Sequence, residues 1–495
     1  MHGMKKRSVK LLRANAIKSG RDRGSAHKRA LTVSLISAVI FAVIIGKLVS
    51  FGLTFQPHQQ FAIARILSSS LARPDIVDRD GRLLATDISM PSLFADPQRI
   101  IDADEVAEKL VLVFADLDPA RLRAKLSRKK RRFVWIKRGI SPGIAQKIHN
   151  LGLPGLGFRS ELRRIYPAGQ LAGHILGYVN VDNRGMAGIE RYIDEDVGVA
   201  VVQGPGQRDF EPVRLTIDLK VQYALREELK DAQTRYGAKA VAGVVIDSNK
   251  GDVLAMSSLP DFDPNRPLGS LKKNTFDRMT QGVYELGSVF KALTVGMVLD
   301  SGVGDLTSTY DARQKIRTGA YEIRDFHGRK RVLSMKEVFL YSSNIGAARM
   351  ATDLGRSRMI RGLRRFGLTT PLKTEIGRSA KPKLPAHWGE VEVMTAGFGH
   401  GLAVTPLQFA ASVMPLVNGG FYILPRFVFN GEIAKTDRGK RVLRRKTSDI
   451  LRKLLRENVS GPSGTGRRAD VEGYRVGGKT GTAEMPVAVV IIKTG

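Results

Sequence analysis

Residues 288–299 read SVFKALTVGMVL, and this stretch decides the fold of the region that surrounds it. Apolar side chains occur on nearly every face of the predicted helix, a pattern typical of a helix buried inside a domain. Ser288 stands at its amino end, where free backbone N–H groups and the helix dipole favour a developing negative charge. Lys291 follows three residues later and would share a face with Ser288. Because burial lowers the pKa of a lysine, a neutral Lys291 can take the hydroxyl proton, and the sequence predicts a serine nucleophile with a lysine base.

A second motif, Ser342-Ser343-Asn344, suits the same chemistry. Serine and asparagine are common in short turns because their side chains bond to nearby backbone groups. We expect such a turn to direct the Ser342 hydroxyl and the Asn344 amide to the same side.

A third motif lies in YRVGGKTGTAE, residues 474–484. We predict a strand here, because glycines on a strand let another backbone approach closely. The residues of interest follow the paired glycines, and they are Lys479, Thr480, Gly481 and Thr482. An exposed strand edge of this kind can pair with a bound peptide, hold its carboxylate and donate a hydrogen bond to an oxyanion.

The composition excludes several classes of protein. The chain has 495 residues, a length sufficient for two or three domains. Because 43% of these residues are hydrophobic, the composition is too apolar for a disordered protein. It has no cysteine, so disulfides, thiolate metal sites and cysteine nucleophiles are excluded. Its eight histidines show no metal-ligand spacing. We therefore predict neither a metal nor a cofactor.

The amino terminus predicts a membrane anchor. Residues 1–29 carry ten lysines and arginines against one acid, Asp22. Residues 30–53 are almost entirely apolar, which is long enough to cross a bilayer. Because positive flanks stay on the cytoplasmic side, we expect a cytoplasmic tail, one uncleaved span and a body on the far side.

A formal net charge of +33 raises the alternative of nucleic-acid binding. The stretch RLRAKLSRKKRRFVWIKR, residues 121–138, interleaves cations with aromatic residues. No nucleic-acid-binding motif accompanies it, and a body outside the cytoplasm meets little nucleic acid. We predict no nucleic-acid partner and interpret the stretch as a solvated basic face, attracted to anionic lipid, wall polymer or acidic proteins.

Beyond the predicted anchor the chain divides into two regions. Residues 54–212, here called the pedestal region, alternate short apolar runs with turn signals, including a hairpin around Asp80-Gly81. Residues 213–495, the catalytic region, contain strands that flank a block of helices. Its first segment, VRLTIDLKVQ, is predicted to run from a strand into a helix, and a second hairpin is predicted at residues 248–251. This order predicts an α+β fold with a β-rich pedestal.

Taken in order, the three motifs resemble those of the penicillin-binding protein and serine β-lactamase superfamily. Further segments, among them RPDIVDRDGRLLAT, RIYPAGQLAGHILGYVN and GFGHGLAVTPLQ, resemble the framework of the class B penicillin-binding proteins. The similarity is greatest to the monofunctional transpeptidases of the division septum, and it extends from about Arg73 to Glu484. It implies a serine β-lactamase-like transpeptidase domain in the catalytic region.

The resemblance implies a role for each motif residue. Ser288 would attack the D-alanyl-D-alanine carbonyl of a peptidoglycan stem peptide and form an acyl-enzyme, with Lys291 as the base. Ser342 and Asn344 would relay the proton and hold the substrate amide. Lys479 would support this network electrostatically.

The resemblance also implies a substrate-binding edge and an oxyanion hole. Thr480 and Thr482, on either side of Gly481, would bind the terminal carboxylate of the donor peptide or of a penicillin. The backbone N–H groups of Ser288 and Thr482 would form the oxyanion hole. An amine from a neighbouring stem peptide would then resolve the acyl-enzyme into a cross-link.

Three pedestal residues match family positions without a base or a nucleophile beside them. We predict that Arg164, Tyr166 and Glu190 are structural, as a charged pair and an aromatic residue that join the pedestal to the catalytic region.

The partners that the resemblance implies are stem peptides, β-lactam antibiotics, the bacterial inner membrane and membrane proteins of the division machinery, including a glycan-polymerising partner. The implied topology is a cytoplasmic amino terminus and a periplasmic catalytic region.

The carboxyl end departs from the family. Relatives continue past the Lys-Thr-Gly motif with further strands and a long helix, whereas residues 485–495 read MPVAVVIIKTG. We expect a truncated or frameshifted product whose last apolar stretch is an exposed, aggregation-prone edge.

Two alternatives to the septal enzyme therefore stay open, a catalytically impaired binding or scaffold protein of the division machinery and a side-wall elongation transpeptidase. A hydrolytic relative would need a water-activating residue, and we identify none.

Overall fold

The chain is described by a computed structural model over residues 31, 34–47, 72–197, 211–318, 321–429 and 439–483. The predicted tail at 1–29, part of the predicted anchor at 30–53 and the carboxyl-terminal stretch at 485–495 lie outside these residues. Residues 34–47 are helical and belong to a first compact unit, Met1–Ser69. Within the described residues, no helix combines the length and the apolarity that a membrane crossing requires. The sheets and helices from residue 72 onward belong to the second unit, Ser70–Gly495.

The pedestal region is built on one antiparallel sheet with short helices. Its elements, in chain order, are β1 (Ile76–Val77), β2 (Leu83–Ala95), α1 (Ala103–Val113), α2 (Pro119–Leu126), β3 (Val134–Lys137), α3 (Pro142–His149), β4 (Leu156–Ile165), α4 (Gly173–Leu176) and α5 (Gly188–Tyr192). The long strand β2 pairs with β4 from Thr86–Ile165 to Ala95–Leu156, and it also pairs with β3 and β1. The sheet order is β3-β2-β1, with β4 paired to β2.

The predicted hairpin at Asp80-Gly81 is confirmed. Strands β1 and β2 pair antiparallel on either side of it. Gly81 has a φ of 87°, a conformation that glycine adopts without steric cost, and its N–H donates to the carbonyl oxygen of Asp78 at 3.1 Å. The Asp78 carboxylate accepts from the backbone N–H of Asp80 at 2.9 Å and of Arg82 at 2.8 Å. Local side-chain bonding therefore fixes the turn.

A charged cluster lies buried beside this sheet. Glu190 accepts from Nε of Arg73 at 2.8 Å and from Nε of Arg164 at 2.7 Å, and all three side chains are fully buried. Tyr166 is buried nearby, and its backbone exchanges two hydrogen bonds with the Asn265 side chain of the catalytic region, at 3.0 and 2.9 Å. Tyr166 therefore contacts both regions, whereas Arg164 and Glu190 pair within the pedestal region.

The catalytic region is an α+β arrangement of many short elements. Its strands are β5 (Val213–Arg214), β6 (Val241–Ile246), β7 (Val253–Leu259), β8 (Thr309–Asp311), β9 (Ile316–Thr318), β10 (Tyr321–Ile323), β11 (Val332–Ser334), β12 (Lys373–Thr374), β13 (Gly377–Arg378), β14 (Phe421–Tyr422) and β15 (Lys440–Arg441). Its helices are α6 (Leu219–Arg235), α7 (Lys291–Ser301), α8 (Met335–Leu340), α9 (Asn344–Leu354), α10 (Arg356–Arg365), α11 (Glu390–Ala396), α12 (Pro406–Val413) and α13 (Arg445–Ser460).

Two predicted features of this region are confirmed. Strands β6 and β7 form an antiparallel hairpin, with Gly251 at a φ of 77° in its turn. The predicted strand-to-helix passage also occurs, because β5 leads into α6 and Asp218 caps that helix by accepting from the N–H of Lys220 at 2.9 Å. Strand β5 pairs in parallel with β1, so the pedestal sheet extends past residue 212. The boundary between the two regions at that residue stays a prediction.

Helix α7 lies in the centre of the largest apolar core. Residues 291–299 are all buried, as the pattern of the opening stretch predicts. Helices α9 and α13 pack against it, with Leu293, Ala347 and Leu451 in the shared core. The α-helix begins at Lys291, and Ser288 lies in the single 3₁₀ turn, Gly287–Phe290, that precedes it. The predicted helix start is therefore three residues too early.

We predict that Glu190→Gln lowers the free energy of unfolding of the pedestal region by about 3–5 kcal/mol, because it removes the carboxylate that two buried guanidiniums share. The measurement is urea denaturation followed by Trp135 fluorescence in a Trp388→Phe background, which removes the second of the two tryptophans.

The matched control is Glu195→Gln. Glu195 pairs with Arg191 at 3.8 Å on the surface, so its loss should change the same free energy by no more than about 0.5 kcal/mol. Equal effects of the two variants would contradict a structural role for the buried cluster.

Candidate functional site

The nucleophile loop precedes α7 and depends on a glycine. Gly287 has a φ of 57°, and a Cβ at this position would lie 2.2 Å from the carbonyl oxygen of Thr482. Only glycine therefore lets the segment that contains Thr482 pack against the loop. The Gly287 N–H donates to the carbonyl oxygen of Gly399 at 3.2 Å, and Ser288 is half-buried beside it.

Lys291 is the central group of the site. Its side chain is fully buried, and Nζ lies 3.1 Å from Oγ of Ser288. Nζ also lies 2.6 Å from the carbonyl oxygen of Ser342 and 2.7 Å from Oδ1 of Asn344. A neutral amine has two hydrogens and one lone pair. If the two short contacts take the hydrogens, the lone pair remains for the Ser288 hydroxyl.

The surroundings of Lys291 favour the neutral amine. Burial is the largest cause of its lowered pKa, and the charge of Lys479 lowers that pKa further. The Asp325 carboxylate acts in the opposite direction. In the part of the chain that the structure describes, no carboxylate lies within ion-pair distance of Nζ, so the lowered pKa of Lys291 is not reversed.

The Ser342–Asn344 turn faces this amine, as the sequence predicts. Ser342 has a φ of 58°, which is unusual for a residue other than glycine and is typical of strained functional sites. Asp325 holds the turn, because its carboxylate accepts from Oγ of Ser343 at 2.7 Å and from the N–H of Ile345 at 2.9 Å. Asn344 donates from Nδ2 to the carbonyl oxygen of Arg324 at 3.1 Å.

The Lys479–Thr482 segment completes the site. Nζ of Lys479 lies 3.0 Å from Oγ of Ser342, and burial lowers the pKa of Lys479 to about 8. Thr480, Gly481 and Thr482 are exposed beside the nucleophile loop. A Cβ on Gly481 would approach the carbonyl oxygen of Leu286 to 2.8 Å, so this glycine permits the close packing.

The predicted strand for this segment is wrong. Residues 475–483 have no strand pairing, and side chains of α13 hold them instead. Asn458 donates from Nδ2 to the carbonyl oxygen of Gly478 at 2.8 Å, and Gly478 donates its N–H to the carbonyl oxygen of Leu455 at 3.1 Å. Thr465 lies 2.8 Å from the Thr480 hydroxyl. The paired glycines permit this approach of a helix as well as they would permit the approach of a strand.

The structure therefore brings the three motifs to one point. Ser288, Lys291, Ser342 and Lys479 form a continuous chain of hydrogen-bond contacts of 3.1, 3.2 and 3.0 Å. Such a chain can move a proton from an attacking hydroxyl to a leaving group. Among the described residues, no group of three or more potential metal ligands occurs. The arrangement suits acyl transfer through a serine ester.

Sequence reasoning missed the two side chains that hold the motifs in place. Asp325 and Asn458 lie in segments without a recognisable motif. Both act through contacts between residues far apart in the chain, so no local pattern could have indicated them.

Comparison with protein families identifies both regions. The model of the penicillin-binding protein transpeptidase domain matches residues 241–487, and that of the penicillin-binding protein dimerisation domain matches residues 69–197. A solved structure, penicillin-binding protein 2X from Streptococcus thermophilus, superposes with a TM-score of 0.58 at 20% identity, over 79% of this chain and 66% of that one. At that identity the likeness concerns the fold alone.

Two curated relatives match most of this chain. The probable peptidoglycan D,D-transpeptidase FtsI of Caulobacter vibrioides is 39% identical over 414 residues, covering 83% of this chain and 69% of that protein. The peptidoglycan D,D-transpeptidase FtsI of Escherichia coli K12 is 31% identical over 445 residues, covering 85% and 74%.

We predict a bell-shaped pH profile for acylation of Ser288 by penicillin. The rate should rise with pH as Lys291 loses its proton, at a pH well below 10.5 because the pKa of Lys291 is lowered. It should fall again near pH 8, where Lys479 loses the charge that attracts a carboxylate. The measurement is the second-order acylation rate constant as a function of pH.

Lys479→Gln should move the acid limb to higher pH, because the variant removes a charge that lowers the pKa of Lys291. It should also abolish the alkaline limb near pH 8. Lys381→Gln changes an exposed lysine and should leave the profile unaltered. An acid limb that stays in place in Lys479→Gln would show that the two amines are not coupled.

Proposed function

The chain belongs to the class B penicillin-binding proteins and is a serine-type peptidoglycan D,D-transpeptidase of the cell-division kind, and we propose that Ser288 and Lys291 carry its reaction. One observation supports this assignment above all others. A fully buried lysine amine lies 3.1 Å from a half-buried serine hydroxyl, and its surroundings favour the neutral form. This is the arrangement that an activated nucleophile needs.

Acylation would begin with transfer of the Ser288 hydroxyl proton to Nζ of Lys291. Oγ then attacks the carbonyl carbon between the two D-alanines of a stem peptide and forms a tetrahedral intermediate. We propose that the backbone N–H groups of Ser288 and Thr482 stabilise its oxyanion, because the packing of Gly287 against Thr482 brings these two backbones together.

Collapse of the intermediate breaks the peptide bond and leaves a serine ester. The departing amine of D-alanine takes the proton that Lys291 received from Ser288, passed on through the Ser342 hydroxyl, which lies 3.2 Å from Lys291 and 3.0 Å from Lys479. An amine of a second stem peptide then attacks the ester carbonyl and gives its proton to Lys291. Lys291 passes that proton to Oγ of Ser288 as the ester C–O bond breaks and the serine is released. The product is a cross-link with no net consumption of acid or base.

The substrate-binding side of the site fits a carboxylate. Thr480 and Thr482 expose hydroxyl groups next to the Lys479 ammonium. We propose that they bind the terminal carboxylate of the donor peptide, and that a β-lactam antibiotic occupies the same place. Asn344, whose Oδ1 contacts Lys291 at 2.7 Å, would direct its amide toward the substrate backbone.

We further propose a location and partners for the enzyme. A basic tail at 1–29 and an apolar span at 30–53 favour a single-pass protein of the bacterial inner membrane, with the catalytic region in the periplasm. Cross-linking at the septum then requires contact with membrane proteins of the division machinery, including one that polymerises glycan. The pedestal region, residues 54–212, follows this span directly in the sequence.

We predict that a fluorescent penicillin labels the full chain covalently and that Ser288→Ala abolishes the label, because the Ser288 hydroxyl lies 3.1 Å from the Lys291 amine and beside the exposed Thr480–Thr482 segment. The measurement is gel fluorescence with mass mapping of the labelled peptide. Ser357→Ala, an exposed serine on α10, serves as the matched control and should label as the unaltered chain does.

The rate at which the label is lost separates the transpeptidase from a hydrolytic relative. We expect slow hydrolysis, since no water-activating carboxylate is identified beside Ser288. Rapid turnover of the ester would contradict the transpeptidase assignment, and labelling that persists in Ser288→Ala would contradict the assigned nucleophile.

We predict that the full chain stays with membranes after an alkaline carbonate wash, whereas a variant that lacks residues 1–53 is released. Penicillin labelling of the released variant controls for its folding. A labelled variant that still sediments with membranes would contradict a single amino-terminal anchor.

A further inference from the structure

A cavity of about 350 Å³ opens on the catalytic region between α7, α9 and α10. Helix α10 has the sequence RSRMIRGLRR, with five arginines and no acid. Arg358, Arg361 and Arg365 line the cavity. Spacings of three and four residues put these side chains on one face of the helix. The cavity is therefore bordered by three guanidiniums.

These cations lack neutralising partners. In the described ranges no carboxylate lies within 4.0 Å of Arg358, Arg361 or Arg365. Asp300 also lines the cavity, but its carboxylate accepts from the backbone N–H of Arg444 at 2.7 Å and from the Thr447 hydroxyl at 2.9 Å. The described lining keeps a net positive charge, because it has three guanidiniums against one carboxylate, and that carboxylate also pairs with Arg444 at 3.4 Å.

Capping of helix ends does not account for all three arginines. The last carbonyls of α7 accept from Arg444, which donates to Leu299 at 3.0 Å and to Asp300 at 2.7 Å. Arg358 lies 3.5 Å from the last carbonyl oxygen of α9, that of Leu354. Arg361 and Arg365 make no hydrogen bond to the described part of the chain, so they are available to a ligand.

The floor of the cavity is apolar. Met297, Leu354, Phe366 and Leu443 line it. Gly362 lets α10 approach α7, because a Cβ there would lie 2.0 Å from Sδ of Met297. The cavity thus combines a small hydrophobic floor with a cationic rim, and its size lies at the lower end of ligand pockets, which run from about 300 to 1,000 Å³.

We propose that this cavity binds a small phosphate ester. A phosphate group carries enough charge and enough oxygens to accept from several guanidiniums at once, and the planar fork of arginine suits two of those oxygens. The organic part of the ester lies on the apolar floor. A neutral ligand would leave the three like charges unopposed.

The cavity is separate from the catalytic site. Helix α7 begins at Lys291 and α9 begins at Asn344, whereas the cavity contacts the other ends of both, at Ser301 and Leu354. Each helix has 11 residues and is roughly 16 Å long. Phosphate binding can therefore be measured while the catalytic site is blocked.

The test is isothermal titration of the full chain in non-ionic detergent, first acylated with penicillin so that Thr480 and Thr482 are covered. Inorganic phosphate and glycerol 3-phosphate are titrated at constant ionic strength and chloride concentration. We expect saturable binding, tighter for the ester. The double variant R361Q/R365Q should raise the dissociation constant by roughly tenfold or more, since it removes two charge-assisted contacts.

The matched control is R356Q/R364Q, which removes the same charge from the same helix at exposed positions that do not line the cavity. Its dissociation constant should be little changed. Equal weakening in both double variants would show a diffuse charge effect, and absence of saturable binding to the unaltered chain would remove the site; either result overturns the proposal. Retained penicillin acylation in R361Q/R365Q shows that this variant folds.

A third arm identifies the source of the phosphate. Dihexanoyl phosphatidylglycerol, used below its critical micelle concentration, is compared with glycerol 3-phosphate and with dihexanoyl phosphatidylcholine. Tighter binding of the phosphatidylglycerol, lost in R361Q/R365Q, supports a lipid headgroup. Tighter binding of glycerol 3-phosphate, lost in the same variant, supports a soluble ester.

Discussion

Burial of the Lys291 amine is the constraint on which the catalytic region depends. A fully buried ammonium without a carboxylate partner is costly, so the group becomes neutral and can act as a base. A carboxylate in direct contact would restore the charge and remove that function. Asp325 is near enough to oppose the lowered pKa, but its two oxygens accept from Ser343 and Ile345. Asp325 therefore holds the Ser343 side chain and the Ile345 backbone in place, and the Lys291 amine stays neutral.

This constraint explains why the site is held by single side-chain bonds to the backbone and not by a sheet. Three segments far apart in sequence must present polar atoms to one amine. Each segment leaves regular structure to do so, at the 3₁₀ turn of Ser288, at the left-handed Ser342 and at the unpaired stretch around Gly478. Asp325 and Asn458 then replace the hydrogen bonds that regular structure would have supplied.

Structural features that depend on neighbouring residues can be predicted from the sequence, whereas contacts between residues far apart in the chain cannot. The Ser288–Lys291 spacing, the buried helix and the two hairpins follow from patterns of three to twelve residues, and all are found. The glycines before Lys479 predict a strand, because they permit another backbone to approach. The element that approaches them is instead helix α13, whose Asn458 lies 20 residues earlier in the chain. Asp325 carries no local signal, since its importance lies in the turn that it holds.

Helices α7 and α9 link the catalytic chemistry to the opposite face of the domain. Both begin at motif residues, where their first N–H groups and dipoles favour negative charge. The carboxyl ends of both helices lie at the cavity, where their last carbonyl groups favour cations. Arg444 donates to the end of α7, and Arg358 lies at the end of α9. Arg361 and Arg365 are not needed for this capping. Two like charges four residues apart, without partners among the described residues, reduce the stability of α10. Met359 and Leu363 hold the same helix in the core, whereas Arg361 and Arg365 are exposed, and an anion is the ligand that would offset their repulsion.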